Sequence, residues 1–492
     1  MKIRNIYNLF VKNFGIKQTI IKNAFWLMLA EVVFRSSTVI LFIYVARVLN
    51  VADFGRFNFA LAVASIFTIF SDFGLSDITT RELSQNKEGE KEYSAILSLR
   101  IFLTVVILGL VLISSVFITR DPIVQKIIWI LGGSAIIGEF FSIIYSFFRS
   151  RQRMEYECLV KIIQSVVLSA AVLFILFTAP SIESISYGYL IGNLTAIICV
   201  LALFNFYIYP IRLVFNKEAW IRFLKLSWPI GLAGVFGVVF LNMDSIVLGH
   251  LGFLEETGWY NIARRTVAIA IIPGTLIYMS FYPVLSRLFK ESLSKLEKAW
   301  NFYMELMIAL AVFIVAGGVA VAPQIIHFYG QKFDPAILVF QILMVVAGIY
   351  FLCYPYILMF IAAGQQRKYL WINFVVAAVN VFLNLILIPR YTLYGAAAAC
   401  VITFVIFLVL LATIAKRFMP VPIFGLRLLG VTTGALLSVS VAFISFRQLL
   451  LHGINFFIAI TVGVLIYPIA LFALHVISNK IKSPEGDVGR GV

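Results

Sequence analysis

Apolar runs of about twenty residues follow one another along this chain with short polar breaks between them, and runs of that length predict helices that cross a bilayer. Fourteen can be marked, near residues 23–46, 57–80, 97–119, 127–148, 159–179, 187–209, 226–250, 259–285, 300–322, 336–361, 370–389, 393–415, 428–446 and 454–477. The largest polar segments, near 81–96 and 210–225, are too short to bury a core of their own. The pattern therefore predicts an all-α polytopic membrane protein with 14 transmembrane helices. Ahead of the first run, residues 1–22 set Lys2, Arg4, Lys12, Lys17 and Lys22 among Ile, Phe and Leu. That mixture predicts a basic amphipathic segment lying on an anionic membrane surface. It holds no short apolar run before a small-residue cleavage site, so no removable signal peptide is expected.

Two of the breaks carry the same local pattern. Gly55-Arg56-Phe57-Asn58-Phe59-Ala60 and Gly258-Trp259-Tyr260-Asn261-Ile262-Ala263 share Gly-x-aromatic-Asn-x-Ala. Further along, Gln152-Arg153 returns as Gln366-Arg367, and Tyr187-Gly188 as Tyr394-Gly395. All three pairs are about two hundred residues apart, as a duplicated half with small insertions would leave them. Six expected spans separate Gly55 from Gly258, an even number, so both copies enter the membrane in the same direction. The expected organisation is a first six-helix bundle over 23–210, a cytoplasmic linker at 211–225 and a second six-helix bundle over 226–415. Two additional helices over 416–479 and a cytoplasmic tail at 480–492 complete it. Parallel repeats of this kind, related by an axis along the membrane normal, are an architecture of secondary transporters.

Composition changes little in that picture, but charge orients it. The 492 residues are 62% hydrophobic and 13% charged, which makes lipid the solvent for most of the chain. A net charge of +16 could suggest a nucleic-acid surface; its distribution argues otherwise. With the N-terminus inside, 29 of the 39 Lys and Arg residues fall in cytoplasmic segments and seven outside. Three, Arg35, Arg264 and Arg265, are counted within spans, while Arg100 and Lys161, at the inner ends of theirs, are counted with the cytoplasmic segments. This is the positive-inside asymmetry. It predicts a multi-pass protein of the cytoplasmic membrane with N- and C-termini both cytoplasmic, and no nucleic-acid partner.

Catalytic chemistry is not expected. His250, His327, His452 and His475 are scattered, and Cys158, Cys199, Cys353 and Cys400 stand singly, so neither metal-ligand spacing nor a disulfide framework appears. No Gly-x-x-x-x-Gly-Lys loop is present to cradle a nucleotide. No enzyme activity, metal or resident cofactor is therefore predicted. The informative residues are ionisable groups inside spans, each costing about 2.5–3.5 kcal/mol at a helix centre and so seeking a partner or water. Glu31 and Arg35 share one helical face. Asp72, Asp77, Arg81 and Glu82 crowd the inner end of the second span and read most simply as a capping network. Glu139 lies in the fourth span, Arg264 and Arg265 in the eighth, and Glu305 in the ninth, where Lys298 or Arg287 could pair with it. Asp244 is deep in the seventh, beside Asn242 and with no basic residue one turn away. Pro229, Gly231, Gly234 and Gly237 in that span, and Pro273-Gly274 and Pro283 in the next, suit either bending or close packing.

Several of these residues together resemble a known family. Ala46-Arg47-Val48-Leu49 followed by Phe54 to Ala60 resembles the first-loop signature of bacterial polysaccharide exporters. Asp72-Phe73-Gly74-Leu75 with Thr80-Arg81-Glu82-Leu83, Asp244 to Gly249, Gly258 to Ala263, Gly364-Gln365-Gln366-Arg367, and Val379-Asn380 through Gly395-Ala396-Ala397 match as well. The family is the oligosaccharide flippase, or polysaccharide transporter, branch of the multidrug/oligosaccharidyl-lipid/polysaccharide exporter superfamily. One position departs from it: Asn50 stands where the family commonly has Gly.

The resemblance implies a V-shaped pair of bundles around a central cavity. It also implies an undecaprenyl-pyrophosphate-linked oligosaccharide as substrate, moved to the outer leaflet for O-antigen, capsule or exopolysaccharide assembly. Pyrophosphate needs cations, and the planar, permanently charged fork of arginine suits phosphate oxygens. Arg35, Arg264 and Arg265 are the substrate-binding candidates on that view, with sugar stacking from Tyr44, Tyr260 or Tyr278. Asp244 and Glu31 are candidates for coupling to an H⁺ or Na⁺ gradient. Expected partners are the lipid-linked oligosaccharide, membrane lipids, and a polysaccharide polymerase and chain-length regulator. The rival readings are a multidrug cation antiporter of the same superfamily, a flippase for peptidoglycan precursor, and a scaffold of polysaccharide assembly that transports nothing.

Overall fold

The computed structural model describes residues 15–85, 90–207, 213–418 and 426–451, together with 462, 465–467 and 469. Every regular element among them is helical. In chain order these are α1 (Ile16–Val48), α2 (Val51–Asp72), α3 (Leu75–Gln85), α4 (Glu90–Ile118), α5 (Pro122–Glu139), α6 (Phe141–Ser150), α7 (Met154–Thr178), α8 (Ile182–Tyr207), α9 (Lys217–His250), α10 (Leu254–Ala270), α11 (Ile272–Glu291), α12 (Leu293–Ala320), α13 (Ala322–His327), α14 (Ala336–Ala362), α15 (Gln366–Ala415) and α16 (Leu426–Leu451). Eleven segments among the described residues are long and apolar enough to cross a membrane. Three of them join two helices each: α2 with α3, α5 with α6, and α10 with α11. The eleventh, α15, is broken at Thr392 (φ 50°, ψ −126°), so it contains both the eleventh and twelfth expected runs. The thirteenth run lies in α16. The fourteenth falls outside the described residues except at a few positions. One of these, Tyr467, donates from its hydroxyl to the Ala309 carbonyl at 2.7 Å and stacks on Phe313 at 4.6 Å.

The amphipathic N-terminal segment needs correction. Residues 1–14 lie outside the described residues, but from Ile16 the chain already belongs to the first spanning helix. Lys22 is buried, with its ammonium 2.9 Å from Glu155 on α7. A lysine with a carboxylate partner in the protein interior is not available to lipid headgroups.

Helix ends follow from short-range chemistry. Asn50, the departure from the family pattern, caps α2: its side-chain oxygen accepts from the Asp53 N–H at 2.8 Å. Asp121 and Asn216 do the same for α5 and α9. The repeated Gln-Arg pairs mark equivalent left-handed turns. Gln152 (φ 54°) closes α6 with the Arg153 N–H donating to Phe148 O at 2.9 Å; Gly364 (φ 69°) closes α14 with the Gln365 N–H donating to Phe360 O at 2.8 Å. The structural register thus pairs Arg153 with Gln365, two residues away from the match seen in the sequence.

By its contacts the chain forms two units, residues 1–261 with 384–393, and residues 262–383 with 394–492. In the first, α1 packs on α7, α7 on α8, α2 on α5 and α9, α5 on α8, and α3 on α6. Phe141, Phe147, Phe148, Phe204 and Tyr93 lie in its buried core. In the second, α12 packs on α11, α14 and α16, and α11 on α14, around Trp300, Met307, Phe351 and Phe360. The division therefore falls inside α10, whereas the sequence suggested 211–225, and α9 joins the first unit. Its glycines show why. A Cβ at Gly231 would lie 2.7 Å from the Phe73 ring, one at Gly234 2.6 Å from Ile69, and one at Gly249 2.2 Å from the Phe59 ring. These positions let α9 lie directly on α2, so for them close packing is the operative reading.

The glycines of the repeated motif meet one another. A Cβ at Gly55 would stand 1.7 Å from the Leu254 carbonyl oxygen and 3.2 Å from the Gly258 nitrogen. A Cβ at Gly258 would stand 2.7 Å from the Val51 carbonyl oxygen and 3.4 Å from the Gly55 nitrogen. Each glycine faces the carbonyl four residues before the other, the relation a local two-fold axis produces.

Candidate functional site

The polar interior of the first unit is a row of alternating charges carried on α1, α7 and α6. One turn apart on α1, Arg35 donates from Nε to Glu31 at 3.0 Å. The other Glu31 oxygen accepts from Lys161 Nζ on α7 at 2.7 Å, and Lys161 also stands 3.2 Å from Glu157. Glu157 in turn accepts two bonds from Arg149 on α6, at 2.8 and 2.6 Å. Three cations and two anions share this row. Glu157 has no exposed side-chain surface, whereas 67% of the Arg35 side chain is exposed. Ordering a buried carboxylate requires such pairing, because desolvating a lone charge costs several kcal/mol. Tyr145 lies beneath Lys161 at 5.3 Å and donates to Gln164 at 2.6 Å.

A second cluster centres on Arg100 of α4, whose side chain is completely buried. Two spans break beside it, at Phe73-Gly74 between α2 and α3 and at Phe140 between α5 and α6. Each break frees backbone carbonyls that would otherwise be bonded along the helix. Arg100 satisfies one from each: Nη1 donates to Ser71 O and to Asp72 Oδ1 (2.8 Å), and Nη2 to Glu139 O (2.6 Å) and Ser142 Oγ (3.2 Å). Asp72 meanwhile accepts from the Ser76 N–H at the start of α3, so the capping expected of it is present. Arg81 pairs with its neighbour Glu82.

Asp244, on α9, is 7% exposed. Its carboxylate accepts from the Ser245 N–H at 2.7 Å and from the Tyr260 hydroxyl. Asn261 donates to Ser245 Oγ at 3.0 Å and extends the cluster. Tyr260 is fully buried and its hydroxyl is occupied, so it offers no ring face to a sugar; here it holds Asp244. Tyr44 is exposed.

In the second unit Arg264 and Arg265 are both half-buried on α10. Arg265 lies within electrostatic reach of Tyr329, whose hydroxyl accepts from Thr266 at 3.1 Å. Arg287 pairs with Glu291, one turn along its own helix, where Glu305 was expected. Tyr278 packs on Tyr354 with ring centroids 5.4 Å apart. Among the described residues no three His, Cys, Asp or Glu side chains gather as metal ligands would.

Three basic residues were misplaced by the sequence reading. Lys22, Arg100 and Lys161 stand near span ends and were counted with the cytoplasmic segments, yet all three are buried within helices. Lys161 had a local signal in Glu157, four residues before it on the same face. Arg100 had none: its partners lie 28 to 42 residues away.

Long apolar helices, several of them interrupted beside buried, paired charges, mark a multi-pass membrane protein. The chain belongs to the polysaccharide biosynthesis protein family, whose model matches residues 20–289. A probable flippase of Haloferax volcanii, AglR, is 22% identical over 375 residues, covering 74% of this chain and 76% of that protein. In fold the chain is similar to the lipid II flippase MurJ in an inward closed conformation, with a TM-score of 0.71 at 17% identity over 91% of this chain and 100% of that one. It is also similar to an inward-facing multidrug resistance MATE family transporter of the MOP superfamily, with a TM-score of 0.62 at 14% identity over 78% of this chain and 96% of that one. Family and fold together place it among the flippase-like transporters of that superfamily.

Proposed function

We propose that this protein moves an undecaprenyl-pyrophosphate-linked oligosaccharide from the inner to the outer leaflet of the cytoplasmic membrane by alternating access, with both termini in the cytoplasm. The product would serve O-antigen, capsule or exopolysaccharide assembly, with a polymerase and a chain-length regulator downstream. One observation carries the reading beyond the family: Arg35 stands within a membrane span with 67% of its side chain exposed, while its Nε is tied to Glu31. An exposed guanidinium at that depth calls for water or an anion, since hydrocarbon satisfies none of its five donors. With Nε engaged, the two terminal nitrogens remain to form the bidentate fork that phosphate oxygens fit. Arg264 and Arg265 supply cations from the second half of the chain, and the Glu31 and Asp244 carboxylates are the groups through which an H⁺ or Na⁺ gradient would act.

The test is transport of the lipid-linked oligosaccharide in proteoliposomes, together with surface polysaccharide in cells at native expression. Arg35→Ala, and Arg264→Ala combined with Arg265→Ala, are each expected to cut transport at least tenfold at unchanged protein level. Asp244→Asn is expected to flatten the response to an imposed proton or sodium gradient. Wild-type polysaccharide and transport in the arginine variants would overturn the cationic site, and export of a cationic drug in place of the glycolipid would favour the antiporter.

A further inference from the structure

The second unit holds a set of tyrosines around Tyr278, the one sugar-stacking candidate of the sequence that lies in it, and the transport reading above assigns the set no role. Tyr278 and Tyr282 are on α11, Tyr350 and Tyr354 on α14, and Tyr369 near the start of α15. The ring of Tyr354 lies 5.4 Å from Tyr278 and 4.7 Å from Tyr350, and its hydroxyl is 2.7 Å from Thr275 Oγ1. Tyr278 is within electrostatic reach of Tyr282, Tyr354 and Tyr369. Close helix approach makes this possible: a Cβ at Gly274 would stand 2.1 Å from the Phe351 ring and 3.1 Å from Tyr354. The Pro273-Gly274 pair is therefore the device that brings α11 onto α14.

Two bland explanations fail on particulars. Tyrosines of an interfacial belt sit at headgroup level with hydroxyls directed to water. Tyr354 and Tyr350 stand eight and twelve residues from Ala362 at the end of α14, about 12 and 18 Å along the helix axis. Ordinary core packing, in turn, would not leave Tyr282 43% exposed and Tyr278, Tyr350 and Tyr369 only half-buried. Beside the set, Tyr303 is fully buried and stacks on Phe281 at 4.5 Å, and its hydroxyl has no hydrogen-bond partner among the described residues. An orphaned hydroxyl of this kind keeps its desolvation cost until something satisfies it.

We infer that this tyrosine set is a binding platform for the sugar part of the substrate, taking neutral pyranose rings on its aromatic faces and their hydroxyls on its phenolic edge. Sugars present apolar C–H faces and polar edges, and tyrosine offers the same two surfaces at little cost in conformational entropy. The set is made of neutral groups, whereas the proposed pyrophosphate ligands in the same unit are the arginines of α10. Glycan and phosphate would thus be recognised by different helices. The inference rests on the glycolipid reading of the previous section and adds which residues select the glycan.

The experiment measures affinity of the full-length protein in nanodiscs for two probes, undecaprenyl pyrophosphate carrying a disaccharide and bare undecaprenyl pyrophosphate. Tyr282→Ala and Tyr278→Ala are expected to weaken binding of the glycosylated probe about tenfold and leave the bare probe within twofold, with Tyr282→Phe retaining most of the affinity. Equal loss for both probes, or no loss for either, would overturn the platform while leaving the flippase standing. If the wild-type protein binds neither probe above a phosphatidylglycerol control, the flippase reading fails and the platform with it.

Discussion

At the scale of single residues, buried charge decides most of what is distinctive here. Arg100 donates to a carboxylate, a serine and two backbone carbonyls from two separately broken spans. Its replacement by Met removes the cation from Asp72 and the Arg100 donors from both carbonyls, and loss of one member of a buried ion pair costs about 3–5 kcal/mol. Arg100→Met should therefore lower the thermal midpoint in detergent sharply. Arg100→Lys should recover little, because one ammonium cannot span four acceptors. Asp72→Asn added to Arg100→Met should restore part of the loss; a single Arg100→Met at wild-type stability would remove this account. Legibility in the sequence divides along the same line. Glu31 and Arg35 announce their pairing by spacing alone, as do Glu157 and Lys161. Asp244 was visible as an unpartnered acid in an apolar run, but its donor Tyr260 was taken for a sugar contact. The reason is physical: one helical turn can be computed from a sequence, whereas Arg100 and Tyr260 find their partners only once separate helices pack.

At the scale of elements, the glycines of α9 mark where helices touch and not where they bend. Gly231 and Gly234 of α9 meet Phe73 and Ile69 of α2, while a Cβ at Gly237 would find nothing within 4 Å. Gly237→Ala should thus be neutral or stabilising by up to about 1 kcal/mol, as expected for an unconstrained helical glycine. Gly231→Ala and Gly55→Ala should each destabilise, the second more, because a backbone carbonyl at 1.7 Å cannot yield as a side-chain tip can. Thermal unfolding of the three variants ranks them, and an equal effect at Gly55 and Gly237 would refute the packing view. Span positions were largely legible because apolar length sets them. The break at Thr392 was legible too, because the runs 370–389 and 393–415 part there, whereas those at Phe73-Gly74 and Phe140 fall inside single expected spans and were not.

For the whole molecule, the repeated motifs were legible in the sequence and the different chemistry of the two units was not. Buried ion pairs gather in the first unit and interlocked tyrosines in the second, although the two halves share their turn motifs. The contact division at Asn261 also assigns α9 to the first unit, against the boundary that repeat spacing suggested. Orientation gives a direct test. With Cys158, Cys199, Cys353 and Cys400 replaced, a cysteine at Phe215 should react with an impermeant maleimide only from the cytoplasmic side, and one at Gln331 only from outside; the reverse would invert the proposed topology. The contact between Gly55 and Gly258 reaches further back. If the two copies of the motif descend from one, these two positions were a single residue, and a half-length chain that kept the contact would meet its own copy there across a local dyad. Such an isologous contact admits no compensation, because any side chain added on one subunit appears on the other at the same point. On the dyad itself, glycine faces glycine still.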